Sequence, residues 1–185
     1  MARDPEPSPQ PEALTLRLTP HESVTIRSRT PEALEVEATY APGGRRPPPH
    51  LHPAQDERFE VLEGTLRARV AGRERELAAG DVFDIPRATV HQMHNPGDEP
   101  ARVRWRTRPA GRTEDWFRAI DALQRSGRVG AGGMPGPLTL GVLLSEYRDV
   151  FRLAVAPDPV VRVALAGLGA LGRLRGYRAE PPAQG

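Results

Sequence analysis

The sequence predicts a mainly β fold: an antiparallel barrel or sandwich followed by about three α-helices. Three observations predict it. Between Ala13 and about Pro109, short runs alternate apolar and polar residues with period two, the spacing that places one face of a strand in a core. Gly, Pro and Asp break these runs at short intervals, as turns between many short strands do. After Pro109 the apolar spacing lengthens to that of helices.

The alternation can be followed element by element. Leu14, Leu16 and Leu18 alternate with Thr15 and Arg17, and Val24 and Ile26 with Ser23, Thr25 and Arg27. Leu34, Val36 and Ala38 alternate with Glu35 and Glu37, and Leu66, Ala68 and Val70 with Arg67 and Arg69. Val103 and Trp105 alternate with Arg102, Arg104 and Arg106; the arginine side is expected to be the solvated face of an edge strand. Thr113 is a plausible N-cap for a first helix carrying Trp116, Ile120 and Leu123 and stopping at Gly127. A second helix is expected from Leu138 to about Val155. A third begins at Asp158-Pro159, carries Val160, Val163, Leu165, Leu168, Leu171 and Leu174, and ends near Gly176. Its small residues, Ala164, Gly167, Gly169, Ala170 and Gly172, suit close packing against the barrel or a second subunit. The domain expectation is a disordered proline-rich leader at 1–12, a barrel at 13–108, a helical extension at 109–178 and a tail at 179–185.

Composition excludes several classes of chemistry. The 185 residues include no cysteine, so disulfides, thiolate metal sites and cysteine nucleophiles are ruled out. All 26 basic residues are arginine and the net charge is only +2. The arginines are interleaved with acids, as in Arg73-Glu74-Arg75-Glu76, unlike the clustered excess of a nucleic-acid binder. The bias towards Arg, Ala, Gly and Pro reads as a GC-rich, bacterial codon signature. The first residues lack the apolar run of a signal peptide, and no stretch is long and apolar enough to span a bilayer. A cytoplasmic protein is expected.

The chemistry is carried by histidines. His50 and His52 are two apart, so on a strand they point the same way. Two such residues after a proline run are ordinary surface groups by themselves. Joined in a barrel interior by Glu57 and by His91, far downstream, they offer three imidazoles and a carboxylate to one divalent ion: Fe, Mn, Ni, Zn, Co or Cu. Open coordination positions would admit a substrate or O2. His94, three residues from His91, has the opposite parity and is expected outside this set. Phe59, Val61, Met93 and Trp105 share the inward parity and are expected to wall a pocket. Asp56 and Glu60 read as solvated charges.

These residues carry a resemblance. Gly44-x5-His50-x-His52-x4-Glu57-x6-Gly64 is similar to the first cupin motif, and Gly80-x5-Pro86-x-Ala88-x2-His91-x3-Asn95 to the second. The family usually has glycine where Ala88 stands, which here implies a turn less dependent on positive φ and clear of the ligands. The resemblance implies a double-stranded β-helix, the jelly-roll barrel of small single-domain cupins, with metal ligation by His50, His52, Glu57 and His91. It implies a small-molecule ligand or substrate and a homodimer, with no nucleic-acid partner. Activities implied are those of dioxygenases, isomerases or polyketide cyclases; the alternative is a non-catalytic module with a structural or sensing role. Fold alone does not choose between them.

Overall fold

The computed structural model describes residues 13–179, so the expected leader and nearly all of the expected tail lie outside the described residues. Ten strands come first: β1 (Thr15–Thr19), β2 (Glu22–Arg29), β3 (Leu34–Tyr40), β4 (His50–Leu51), β5 (Asp56–Glu63), β6 (Thr65–Val70), β7 (Arg73–Ala78), β8 (Val82–Ile85), β9 (His91–His94) and β10 (Ala101–Arg108). Helices α1 (Thr113–Arg125) and α2 (Pro137–Glu146), the short strand β11 (Arg152–Leu153) and helix α3 (Asp158–Leu174) complete the chain. The strands form two antiparallel sheets, ordered β1-β2-β3-β10-β5-β8 and β11-β4-β9-β6-β7. The architecture is a mainly β jelly-roll barrel with three helices after it.

The period-two pattern does what it predicts. Leu34, Val36, Ala38, Phe59, Val61, Leu66, Ala68, Val103 and Trp105 are all buried between the sheets. Trp105 stands opposite Val36 on one side and Phe59 on the other. Burying each large apolar side chain stabilises the fold by roughly 1.5–3 kcal/mol. Gly64 makes the turn from β5 to β6 at φ +74°; a Cβ there would meet the Pro100 carbonyl oxygen at 2.7 Å.

Some expectations need correction. Strand β10 is not an edge: it lies inside the six-stranded sheet, between β3 and β5. Its arginines do face solvent, where they pair across the sheet, Arg102 with Glu37 and Glu63, Arg104 with Glu60, and Arg106 with Glu35. Exposed pairs of this kind contribute about 0–1 kcal/mol each. Helix α2 ends at Glu146 rather than near Val155. After Tyr147 the backbone leaves the helix so that Arg152 and Leu153 can pair with Leu51 and His50, and a strand edge outweighs helical spacing. Helix α3 packs against α2, not the barrel. Gly141, Gly169 and Gly172 permit the contact, since a Cβ on Gly141 would meet the Leu168 Cβ at 2.5 Å and one on Gly172 the Val142 Cγ2 at 2.6 Å. The opposite side of α3 leaves Val160, Val163 and Leu174 exposed.

Helix α1 covers the outer edge of the larger sheet. The carboxylate of Asp121 accepts the backbone N–H of Arg17 at 2.8 Å, and the Gln124 amide donates to the Leu18 carbonyl at 3.1 Å. Free strand groups on β1 are thereby satisfied, which removes an edge open to aggregation. Thr113 is the first residue of this helix rather than its cap; its hydroxyl is buried without a hydrogen-bond partner. Among the described residues no helix is long and apolar enough to cross a membrane.

Candidate metal centre

The barrel brings together residues that are up to 41 positions apart, from His50 to His91. His50 opens β4 and stands directly opposite His91 on β9. His52 follows β4, and Glu57 lies one residue into β5. The three imidazoles form a cluster whose ligand atoms lie within 4.8 Å of one another. The Glu57 carboxylate reaches His52 Nε2 at 3.4 Å and His91 Nε2 at 3.3 Å. His52, Glu57 and His91 are buried and His50 is half-buried.

Each ring has its tautomer fixed by the backbone. The Nδ1 of His50 meets the Pro48 carbonyl at 2.9 Å, that of His52 the Val150 carbonyl at 2.7 Å, and that of His91 the Thr89 carbonyl at 3.0 Å. A carbonyl oxygen can only accept, so each Nδ1 must carry the proton and each Nε2 presents a lone pair. Two of those lone pairs face Glu57 oxygens. Acceptor against acceptor at 3.3–3.4 Å is unfavourable unless a proton or a cation stands between them. Trp105 Nε1 donates to Glu57 Oε1 at 3.1 Å and holds the carboxylate in place.

Burial sets the protonation states in the same sense. It pushes His50 down to about 3, with neighbouring His91 adding to the effect and the Pro48 carbonyl opposing it. His52 and His91 are likewise lowered, burial being the largest cause for each. Glu57 is raised to about 8 by burial, against the hydrogen bond from Trp105. Neutral imidazoles and a carboxyl short of a counter-charge fit a divalent transition ion, which His50, His52, Glu57 and His91 could hold.

Beside the histidines lies a cavity of about 170 Å³ with mostly apolar walls. Phe59, Met93 and Trp105 line it. Val61 does not; it is buried in the barrel core. His94 sits on the other face of β9, near Arg46, Arg67 and Glu74, and is not in the imidazole cluster. Ala88 departs from expectation twice. Its φ is +60°, so the turn does need the left-handed region, and its N–H donates to the His52 carbonyl at 2.8 Å, so it does touch a candidate ligand residue.

Much of the cavity wall comes from the helical extension, which period-two reasoning did not assign to the site. Trp116, Phe117, Leu140, Leu143 and Phe151 line it. Phe151 stacks on His50 with ring centroids 4.7 Å apart, and Trp116 stacks on Phe151 at 5.0 Å. Strand β11 occupies the edge of β4 next to the clustered histidines. Glu22 and Tyr40 also line the cavity and were missed, because a strand-end glutamate and an alternating tyrosine carry no spacing signal.

Comparison with known proteins agrees with this geometry. Residues 36–105 match the cupin domain family. Germin-like protein 5-1 of Oryza sativa subsp. japonica is 45% identical over 69 residues, 35% of this chain and 31% of the relative. Germin-like protein subfamily 2 member 1 of Arabidopsis thaliana shows the same identity and coverage. The chain spans about a third of the length of these curated relatives. Among solved structures, an RmlC-like cupin from Shewanella frigidimarina superposes with a TM-score of 0.51 at 18% identity, covering 62% of this chain and 99% of that one.

Proposed function

The chain being a member of the cupin superfamily, we propose that it is a metal-dependent cupin that binds, and acts on, a small organic molecule in the barrel. His50, His52, Glu57 and His91 hold one divalent transition ion. The observation that carries this reading is the shared tautomer: three backbone carbonyls engage three Nδ1 atoms and leave three Nε2 lone pairs free, two of them facing Glu57. When bound, the ion would supply Lewis acidity or a site for O2 next to an apolar cavity.

The chain's own residues do the rest. Trp105 orients Glu57, the carbonyls of Pro48, Val150 and Thr89 orient the imidazoles, and the aromatic wall of Trp116, Phe117 and Phe151 excludes water and receives an apolar ligand body. Isomerase, cyclase and dioxygenase chemistry all suit such a site. A structural role for the ion is favoured by a separate observation: His52 and His50 are tied to Val150 and Phe151, so the ion would also fasten the helical extension to the barrel. A homodimer belongs to the same reading, with the exposed Val160, Val163 and Leu174 of α3 as its apolar face; sedimentation of wild type against Val163→Glu checks it.

Elemental analysis of tag-free protein purified without chelators tests the core of the proposal. About one equivalent of a transition metal is expected, and less than about a tenth would overturn it. An anaerobic metal-swap panel then separates the chemistries: O2 uptake that requires Fe(II) selects a dioxygenase, whereas turnover with several metals and no O2 selects an isomerase or cyclase. A metal-dependent rise in melting temperature without turnover selects the structural role.

A further inference from the structure

The metal reading leaves one polar feature of the cavity unused. Glu22, at the start of β2, lines it together with Tyr40, its directly opposite partner on β3. Among the described residues that line the cavity, Glu22 is the single acidic side chain and none is arginine. That contrasts with the barrel exterior, where Glu35, Glu37, Glu60, Glu63 and Glu74 each pair with arginine. The residue is half-buried, and burial and the neighbouring Tyr40 hydroxyl act on its carboxyl in opposite senses. A carboxyl in an apolar enclosure with no cation is costly unless a partner arrives from elsewhere. The other described side chains that line this cavity include no arginine; Arg17, His21 and Arg125 share with Glu22 a separate surface hollow.

We propose that Glu22 determines the ligand specificity of this cavity, by binding a hydroxyl or amine on a small, otherwise apolar molecule whose other end reaches the metal. The metal-bound end of this statement rests on the reading above; the Glu22 end does not. The absence of lining arginines argues against phosphate-bearing or multiply carboxylated ligands, which need several fixed cations. Burial raises the Glu22 carboxyl to about 7, against the Tyr40 hydrogen bond. Near neutrality it can therefore donate to a hydroxyl oxygen as the acid or accept from an amine or hydroxyl as the carboxylate.

The test uses the full chain in two states. In chelator-treated protein, calorimetry compares benzylamine with toluene, which share a ring and differ in the donor. Benzylamine is expected to bind at least about tenfold tighter. Glu22→Leu should abolish that advantage while toluene binds as before, and Glu22→Gln, closer in shape, should also lose it. In Co(II)-loaded protein, benzohydroxamate is compared with its 3- and 4-aminomethyl derivatives; one isomer should gain at least about tenfold, and only with Glu22 present. No donor-dependent gain, or a gain that persists in Glu22→Leu, would overturn the proposal. Glu22-dependent selectivity in protein that takes up no metal would uphold it while overturning the metal reading. Metal uptake without such selectivity would do the reverse.

Discussion

The barrel and the helical extension meet at the candidate site and contribute different things to it. The barrel supplies every candidate donor: two imidazoles from the region of β4, one from β9 and, beside them, the carboxylate from β5. The extension supplies the enclosure. It adds Trp116, Phe117 and Phe151 to the cavity wall, the Val150 carbonyl to the His52 ring and strand β11 to the edge of β4. Donor directions are set by parity within each strand, and the β4–β9 pairing brings His50 and His91 face to face. The enclosure depends on aromatic packing between segments distant in sequence. The two regions should therefore fail differently when altered.

The largest effect is expected at a donor. His91→Ala removes an Nε2 lone pair that faces Glu57 at 3.3 Å, and bound metal should fall below about a tenth of an equivalent by elemental analysis. Phe151→Ala, which removes the ring stacked on His50, should weaken affinity by about 10–100-fold and leave the stoichiometry near one. Equal loss of metal in the two variants would break the division between donors and enclosure.

Stability should divide the other way. Phe117 is fully buried and packs edge-to-face on Trp105 with ring centroids 5.2 Å apart, so it joins the extension to the barrel core. Phe117→Ala should cost about 3–5 kcal/mol in denaturant unfolding, with metal still bound at native conditions. Within the extension, Gly141→Ala forces a Cβ towards Leu168 at 2.5 Å and the Gly169 nitrogen at 2.9 Å. Parting α2 from α3 should cost about 1–3 kcal/mol and leave metal affinity unchanged. A fall in affinity would show that α3 bears on the site through α2.

The donor set also predicts a pH dependence. Glu57 is raised to about 8, so below that value the metal-free site holds a proton that an entering ion must displace. The three imidazoles are lowered and stay neutral near neutral pH, so they add no proton to the exchange. Metal affinity should rise about tenfold per pH unit from 6 towards 8 and level off above it, with about one proton released at pH 7. Calorimetry in buffers of different ionisation enthalpy measures that proton. A flat profile would mean that Glu57 is already ionised in the metal-free protein.

What could be read from the sequence follows the same division. That His50, His52, Glu57 and His91 come together was legible because period-two strands turn spacing into direction and because both glycine-framed segments fix the register. His94 was legible as an outsider by the same parity. Val61 was not separable from Phe59, since both point inward and only the second reaches the cavity. The end of α2 was misplaced because residues 147–155 keep helical spacing while their backbone is needed at the edge of β4. Glu22 was invisible because an acid at a strand end is ordinarily solvated, and only the tertiary fold makes it part of a cavity wall.

The smallest effect is expected where the sequence departs from the cupin motif it resembles. Ala88 sits at φ +60°, between the turn hydrogen bond from Thr89 N–H to the Pro86 carbonyl and its own bond to the His52 carbonyl. A left-handed conformation costs an L-residue with a Cβ roughly 1–2 kcal/mol, while glycine gives back about 0.5–1 kcal/mol through its freer unfolded chain. Ala88→Gly should therefore raise unfolding free energy by at most about 1.5 kcal/mol, read as a rise in the denaturation midpoint at unchanged slope. Because this turn is bonded to the His52 backbone, its strain lies on the donor side of the molecule. Relief should tighten metal binding slightly or not at all. Destabilisation would show instead that the Ala88 methyl makes a packing contact worth more than the strain, and would place this turn with the enclosure rather than with the donors.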